Sequence, residues 1–155
     1  MQNNEFIINK LKERNIPFEE IEFTDNAVSA RTADTSENHN YNPNNSIKTI
    51  LVEGKTGVFQ LLLRGEDLID QQKVKSIIGR WRIIPKEVLE HEYGLVVGGI
   101  CPLTVDFPCI IDESLMNNYI WGMGAGDVNK GLNITKDVAV KNIKIFKIAE
   151  IRKLE

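Results

Sequence analysis

The first forty residues change from a helical to a strand-like pattern of apolar positions. Residues 4–14 carry apolar side chains at the spacing of one helical face, and we predict a helix that ends before Pro17. Residues 17–24 then alternate apolar and acidic side chains, which predicts a half-buried strand. The polar, Asn-rich residues 29–46 follow, where we expect a short helix near residues 30–35 and otherwise irregular structure.

The centre of the chain has the pattern of a hairpin followed by alternating helix and strand. Residues 47–65 form two apolar runs around a glycine-containing turn, which predicts a β-hairpin. Residues 66–79 space their apolar side chains on one helical stripe, and Gly79 can supply the left-handed cap that ends such a helix. A short strand at residues 81–84 and a second helix opened by Pro85 complete this region.

The last third of the chain is richer in short apolar runs and in glycine. Residues 95–99 and residues 108–112 suit short buried strands on either side of a glycine loop. Residues 119–134 predict a strand, a glycine turn and a second strand, and residues 136–142 predict a helix. Residues 143–153 fit a strand and a helix equally well. These mixed elements, without a strict alternation of strand and helix, favour an α+β fold with a curved mixed sheet and helices outside.

Composition fits this fold and narrows the class of protein. The 155 residues, 42% of them hydrophobic and 26% charged, suit a single soluble domain over residues 1–155. No apolar run approaches the ~18 residues that cross a bilayer, and no secretory leader is visible. We therefore expect no membrane partner and a cytoplasmic location, where Cys101 and Cys109 remain thiols.

Positive charge is concentrated locally although the net charge is −3. That net charge argues against a protein coated with cations for unspecific nucleic-acid binding. Ordinary solvated faces and a local binding patch both explain the basic clusters, which are Lys73, Lys75, Arg80, Arg82 and Lys86, and Lys136, Lys141, Lys144, Lys147, Arg152 and Lys153.

Several familiar site patterns are incomplete. Gly54-Lys55-Thr56 resembles the end of a phosphate-binding loop, but Thr49 occupies the position of the glycine that the loop requires. The glycines of residues 122–126 miss the spacing of a dinucleotide fingerprint. His39 and His91 lie far apart, and the cysteines lack the pairing of a zinc site. We expect neither a metal nor a cofactor.

Two residues leave open alternatives. Cys101, within Gly98-Gly99-Ile100-Cys101-Pro102, could act as a nucleophile, line a pocket or simply pack, and a nucleophilic role requires a depressed pKa. Lys48 lies in an apolar strand, where an ammonium must face water, an acid or a ligand. An edge lysine that protects the sheet from aggregation explains it equally well.

Three segments, in this order, resemble the YbaK/ProX family of aminoacyl-tRNA deacylases, relatives of the editing domain of prolyl-tRNA synthetase. They are SIKTILVEG, LVVGGICPLTVDFPCIIDESL and YIWGMGAGDVNKGLNIT, and the resemblance runs from about Phe18 to Val140. It implies a twisted mixed sheet, almost a barrel, wrapped by helices. It also implies hydrolysis of the ester that joins a small amino acid, such as Ala, Ser or Cys, to tRNA. The alternative is a catalytically silent module that binds tRNA or a synthetase.

The resemblance also implies roles for individual residues. Lys48 matches the essential lysine of the family, and Gly98 and Pro102 match the ends of its Gly-x-x-x-Pro loop. The loop amides from Gly98 to Cys101, with Gly98 and Gly99 as the implied catalytic residues, would stabilise the oxyanion, while Lys48 would hold the acceptor end of the aminoacyl-tRNA. The implied substrate-binding residues are Phe23, Thr49, Ile100, Cys101, Pro102, Gly124, Ala125 and Gly126. The implied partners are the aminoacyl-tRNA acceptor end and an aminoacyl-tRNA synthetase.

Two departures from the family pattern concern the pocket wall. Cys101 stands where the family frequently has Ser or Thr, and Thr104 replaces the glycine that usually follows Pro-Leu. Cys101 is therefore a candidate for trimming the pocket and tuning the choice of amino acid.

Overall fold

Four helices and eight strands form the part of the chain that the computed structural model describes, residues 1–23 and 42–154. The helices are α1 (Asn4–Glu13), α2 (Gln71–Ile78), α3 (Lys86–Glu92) and α4 (Lys136–Lys141). The strands are β1 (Glu19–Glu22), β2 (Ile47–Gly54), β3 (Gly57–Arg64), β4 (Arg82–Ile83), β5 (Cys109–Asp112), β6 (Ile120–Ala125), β7 (Asp127–Thr135) and β8 (Ile145–Ala149). The short helix expected near residues 30–35 lies outside the described residues.

The strands form two sheets, so the predicted α+β class is confirmed while the single curved sheet is divided. A five-stranded mixed sheet has the order β4-β2-β3-β5-β8, with β5 parallel to both β3 and β8. A three-stranded antiparallel sheet has the order β1-β7-β6. One isolated pair, Ser46 with Gly122, joins the two sheets immediately before β2. The start of β2 therefore faces the glycine-rich strand β6.

The β2–β3 hairpin contains the two longest strands of the five-stranded sheet, and it confirms the hairpin predicted from the sequence. Its register runs from Ile47 opposite Arg64 to Gly54 opposite Gly57. Gly57 has a φ of 139°, a conformation that side chains rarely adopt, so the turn depends on glycine at this position. The hairpin fixes Lys48 opposite Leu63, a fully buried residue of β3.

Helix α2 begins five residues later than the apolar stripe predicts. The Asp70 side chain accepts hydrogen bonds from the backbone N–H groups of Gln72 (3.0 Å) and Lys73 (3.2 Å) and so caps the helix. Leu68, which the stripe placed on the buried face, is 62% exposed. The capping residue inside the stripe decided where the helix starts, whereas Gly79 ends it with a φ of 77° as expected.

Two predictions for short strands had different outcomes. Residues 95–99 are a turn and not a strand, because the Gly99 N–H bonds back to the Val96 carbonyl at 2.9 Å and Gly98 has a φ of 86°. The ambiguous residues 143–153 contain strand β8, which pairs in parallel with β5. The sheet partner, which the local sequence does not show, settled that ambiguity.

The core divides into three clusters around these sheets. The largest lies between α1, β6, β7 and the five-stranded sheet and includes the fully buried Trp121. A second cluster packs α2 against one face of the β2–β3 hairpin, and a third packs α3 and residues 95–105 against β2. Within the described ranges, no helix is long and apolar enough to span a membrane.

Candidate active site

Lys48 is held at the start of β2 by an atom outside the strand. Its ammonium donates a short hydrogen bond to the backbone carbonyl of Asp67, in the segment between β3 and α2. The side chain is half-buried and lines a cavity. The acceptor is a backbone carbonyl, which orients the ammonium without itself being a titratable group.

The cavity beside Lys48 brings together five of the residues predicted from the sequence. Its volume is about 280 Å³, and its walls come from β2, from the turn at residues 97–100, from β6 and from β7. The predicted residues that line it are Lys48, Thr49, Gly98, Ile100 and Gly124. The turn and the lysine strand therefore face each other across one hollow, the arrangement on which the predicted mechanism depends.

The turn is held in place by backbone-to-backbone packing on glycines. A Cβ on Gly124 would lie 2.6 Å from the Ile100 carbonyl oxygen, and one on Gly99 would lie 2.6 Å from the Gly126 carbonyl oxygen. The Gly126 N–H also donates to the Gly99 carbonyl at 2.8 Å. A methyl group at either position requires the backbone to move, so the glycines set the distance between the turn and β6.

The amides of this turn are not equivalent. The Gly99 N–H is already used in the bond to Val96, so it is not a donor for a ligand, contrary to the role that we predicted for it. The N–H groups of Gly98 and Ile100 take part in none of the backbone hydrogen bonds of the described chain, and both residues line the cavity. These two amides are the better candidates for binding an oxyanion.

A buried amide side chain fixes the segment that follows the turn. Gln60 of β3 is fully buried, and its Nε2 lies within hydrogen-bonding distance of the carbonyl oxygens of Val105 (2.9 Å), Phe107 (3.1 Å) and Pro102 (3.4 Å). Buried backbone carbonyls need such partners, because an unsatisfied one costs about 1–3 kcal/mol. Gln60 thus connects the central strand of the sheet to the loop that ends at Pro102.

The structure does not place the Cys101 thiol in the cavity wall. Its side chain is fully buried, with Sγ 3.9 Å from the Met123 sulfur. Burial raises the pKa of the Cys101 thiol to about 11, although amides of Leu103 and Thr104 favour the thiolate. A neutral thiol that faces the core is a poor nucleophile, and any effect on pocket shape must act through packing.

Four other predicted substrate-binding residues also lie away from the cavity lining. Pro102 and Ala125 are buried, and the Ala125 carbonyl accepts a hydrogen bond from the Asn4 side chain at 2.9 Å. Phe23 packs on Gly131 of β7, where its ring lies 3.0 Å from the position of an added Cβ. Together with Gly126, they support the walls and do not form the inner surface.

Lys130 is a charged cavity residue that sequence reasoning missed. It lies on β7, and its ammonium makes a short ion pair with Glu22 of β1. The hydrogen bond from Lys130 lowers the pKa of Glu22, and the same bond raises the pKa of Lys130. A second cation therefore lies at the cavity. The only sequence signal was a lysine in a strand beside a glycine turn, which does not reveal what the strand faces.

Other motifs that the sequence suggested lie away from this cavity in the described part of the chain. Among residues 1–23 and 42–154, no three His, Cys, Asp or Glu side chains lie close enough together to hold a metal ion. His91 is exposed on α3, whereas His39 lies outside the described residues. Gly54-Lys55-Thr56 forms the hairpin turn and does not open a helix. The polar groups available at the cavity are a lysine pair, two hydroxyls and backbone amides.

A lysine that lies opposite a glycine turn across a small cavity is suited to a binding or hydrolytic domain. Comparison with known proteins identifies the family. Residues 27–141 match the family described as the aminoacyl-tRNA editing domain. The chain belongs to this family. An 85-residue segment is 28% identical to proline–tRNA ligases of Thermotoga sp. strain RQ2 and Thermotoga maritima. The match covers 52% of this chain but only 15% of each ligase.

Solved structures agree with the fold that the resemblance implied. The fold matches a crystal structure described as a candidate trans-editing enzyme for prolyl-tRNA synthetase, with a TM-score of 0.81 and 16% identity. That match covers 97% of both chains. A second crystal structure, of a hypothetical protein, matches with a TM-score of 0.77 and 16% identity over 95% of this chain and 99% of the other. The predicted editing-domain fold is therefore confirmed.

Proposed function

We propose that this chain is a trans-editing hydrolase, which cleaves the ester bond of mischarged aminoacyl-tRNA. The observation that carries the proposal is the cavity in which Lys48 lies opposite the Gly98 turn, in a chain of the aminoacyl-tRNA editing family. The candidate tRNA is tRNA-Pro or a related species, because the ligases that match part of the chain charge proline.

Two backbone amides supply the electrostatic part of the proposed mechanism. Attack of water on the ester carbonyl forms an oxygen–carbon bond and moves negative charge onto the carbonyl oxygen. We assign the N–H groups of Gly98 and Ile100, two residues that line the cavity, as the donors to this oxygen. Each preorganised donor contributes about 3–4 kcal/mol to the stability of the transition state. The ester carbon–oxygen bond then breaks, and the terminal ribose oxygen leaves with a proton.

Lys48 positions the substrate in this proposal. Its ammonium, oriented by the Asp67 carbonyl, binds a phosphate or another polar group of the acceptor end and holds the ester beside the turn. No carboxylate or imidazole is among the described residues that line the cavity. We therefore assign the deprotonation of water to the substrate itself, through its ribose hydroxyl or its amino group.

The cavity limits the size of the amino acid. About 280 Å³ suits a small side chain together with part of the ribose, and the walls contributed by Ile47, Ile50 and Ile100 are apolar. Ala, Ser and Cys are the amino acids that we propose as substrates. Such enzymes are needed because one methylene gives a synthetase only about 1–3 kcal/mol of discrimination.

A deacylation assay over a panel of mischarged tRNAs tests the proposal. We expect hydrolysis of at least one small aminoacyl ester, and Lys48→Ala should lower kcat/KM by about 10²–10³-fold, the effect of removing a preorganised charged contact. Lys12→Ala, which removes an exposed lysine of α1, is the matched control and should leave the rate unchanged. Circular dichroism would check that both variants fold.

The remaining outcomes separate the alternatives. Turnover by Lys48→Ala at the wild-type rate would contradict the positioning role of this lysine. Binding of tRNA without release of any amino acid would identify a silent binding module. Loss of activity in Cys101→Ala alone would identify thiol chemistry.

A further inference from the structure

A second groove, formed by the exposed side of α2 and by β4, lies outside the cavity described above. Its volume is about 450 Å³, and it is lined by Gln71, Gln72, Lys75, Arg80, Trp81, Arg82 and Ile83. Three of these described lining residues are cations, two are amides and none is a carboxylate. This is the composition of surfaces that contact phosphate groups, where Arg, Lys and Gln side chains supply most hydrogen bonds.

Neighbouring side chains change the charge of the groove only slightly. The aliphatic part of the Lys55 side chain packs on Gly79, where its Cδ lies 3.5 Å from the position of an ideal Cβ. Lys55 therefore adds a fourth cation near Arg80. Glu53 pairs with Arg82 at 3.1 Å, but both side chains are at least half exposed. Exposed pairs contribute at most about 1 kcal/mol and exchange readily with other anions. The groove therefore retains a clear positive excess.

An apolar floor separates the cations of the groove. The Trp81 indole is fixed by a hydrogen bond from its N–H to the Gln71 carbonyl at 3.2 Å and packs against the second core cluster. Ile83 beside it is 54% exposed. Aromatic and apolar surfaces between cations suit the sugars and bases of a nucleic acid, since stacking on an aromatic side chain is worth about 1–3 kcal/mol per base.

The sheet register places this groove at a defined distance from Lys48. Strand β4 pairs with β2 at Val52 and Glu53, and Lys48 lies on the same strand. The five residue-to-residue steps from Lys48 to Glu53 span ~17 Å at ~3.3 Å per step. Stacked nucleotides advance ~3.4 Å each along a strand, so the same distance corresponds to about five nucleotides.

We infer that the α2–β4 groove binds the tRNA phosphate backbone about five nucleotides behind the ester, where the single-stranded end joins the acceptor stem. This inference rests on the proposed function, since it takes the ester to lie at Lys48. It explains one of the two basic clusters that the cavity does not use. A protein partner is disfavoured because the groove combines cations and amides with no larger apolar surface than Trp81 and Ile83.

Binding of RNAs of two lengths tests the groove. One probe is an uncharged acceptor-stem minihelix of tRNA-Pro with its 3′ end, and the other is a 3′-terminal oligonucleotide too short to span ~17 Å. For the double variant Lys75→Gln/Arg80→Gln, we expect about 10-fold weaker binding of the minihelix. The dependence of log K on log salt should fall by about 1.5, since each phosphate contact contributes 0.7–0.9. The short oligonucleotide should bind wild type and variant equally.

The double variant Lys12→Gln/Lys141→Gln removes two exposed lysines from α1 and α4 and is the charge-matched control. It should change minihelix binding by less than about 2-fold, because long-range charge effects are screened at physiological salt. Equal weakening by both double variants would overturn the inference in favour of net charge. Unchanged minihelix binding by Lys75→Gln/Arg80→Gln, or a defect only toward a synthetase, would overturn it too. Binding is measured without turnover, so absent hydrolysis would contradict the proposed function and leave this result standing.

Discussion

Lys48 and Asp112 lie at the same level of the five-stranded sheet, but their side chains have opposite environments. On β3, Leu63 lies opposite Lys48 of β2, and the preceding residue Leu62 lies opposite Ile111 of β5. Asp112 follows Ile111, so the two charged residues are separated by two strand spacings, or ~10 Å. Asp112 is fully buried and accepts five hydrogen bonds from Ser114, Ile151 and Arg152. Lys48 is half-buried beside a cavity and is oriented by one main-chain carbonyl.

The difference separates a structural anchor from a site. The Asp112 carboxylate holds the carboxyl-terminal segment against the sheet. That segment in turn binds the loop before α2, because the Ile151 carbonyl accepts from the Asp70 N–H and the Lys153 N–H donates to the Leu68 carbonyl. The same loop supplies the carbonyl that orients Lys48. A buried charge with satisfied hydrogen bonds contributes rigidity, whereas a charge and amides that line a hollow can contact a ligand. The anchor therefore supports the site through one loop.

Removal of the anchor charge should have the largest effect. We expect Asp112→Asn to lower the free energy of unfolding by about 3–5 kcal/mol, because it leaves the Arg152 guanidinium without its buried partner. Urea titration measures this change. The matched control is Asp106→Asn, whose exposed pair with Lys144 contributes at most about 1 kcal/mol. Equal losses in the two variants would contradict the distinction between anchor and surface pair.

A methyl group added at Gly124, beside the cavity, should lower the deacylation activity. Gly124→Ala places Cβ 2.6 Å from the Ile100 carbonyl oxygen, so the turn must shift away from β6. A misplacement of about 1 Å can cost 10²-fold in rate, and we expect kcat/KM for deacylation to fall about 100-fold. Gly122→Ala on the same strand is the control, since its Cβ meets the Asn133 side chain at 3.4 Å. Equal activity of the two variants would show that the turn is not fixed by this contact.

The anchor should make stability depend on acid pH. Burial raises the pKa of Asp112, but the hydrogen bonds from Ser114, Ile151 and Arg152 outweigh it and hold the pKa below its ordinary value of 3.8. Its stabilisation is therefore complete above ~pH 5, about a unit above the unfolded pKa, and is lost as the pH falls through the folded pKa. Urea unfolding from pH 6 to pH 2 should show the difference between wild type and Asp112→Asn shrinking below ~pH 5. A constant difference would exclude Asp112 as the titrating group.

The smallest effect is expected for the thiol. Cys101→Ala should change the deacylation rate by less than about 3-fold, because a buried thiol with a pKa of about 11 holds little thiolate near neutral pH. Iodoacetamide should label Cys101 far more slowly in the native protein than in urea. Rapid labelling of the native protein would show that the thiol reaches solvent and would reopen its role in the pocket.

Particular residues show which features of the structure could be predicted from the sequence. Alternation and turn glycines predicted the β2–β3 hairpin and the β6–β7 pair, because strand periodicity and positive φ are local properties. Residues 95–99 were predicted as a strand because their apolar side chains do not reveal the bond from Gly99 to Val96. The candidate site was predicted from the resemblance and its segment order, yet Lys130 was missed. Of the roles left open for Cys101, its buried side chain fits packing in the core, because side-chain direction in a loop depends on tertiary contacts.

The sequence by itself determined the α+β class and most strands and helices, and its resemblance to the editing family led us to expect a strand lysine and a glycine loop in one site. These follow from periodicity, from the conformational freedom of glycine and from the order of recognisable segments. Only the tertiary structure decided which residues of the turn line the cavity, that the Asp67 carbonyl orients Lys48, and that Asp112 anchors the loop. Such contacts join residues far apart in the chain, and their geometry depends on how the two sheets pack.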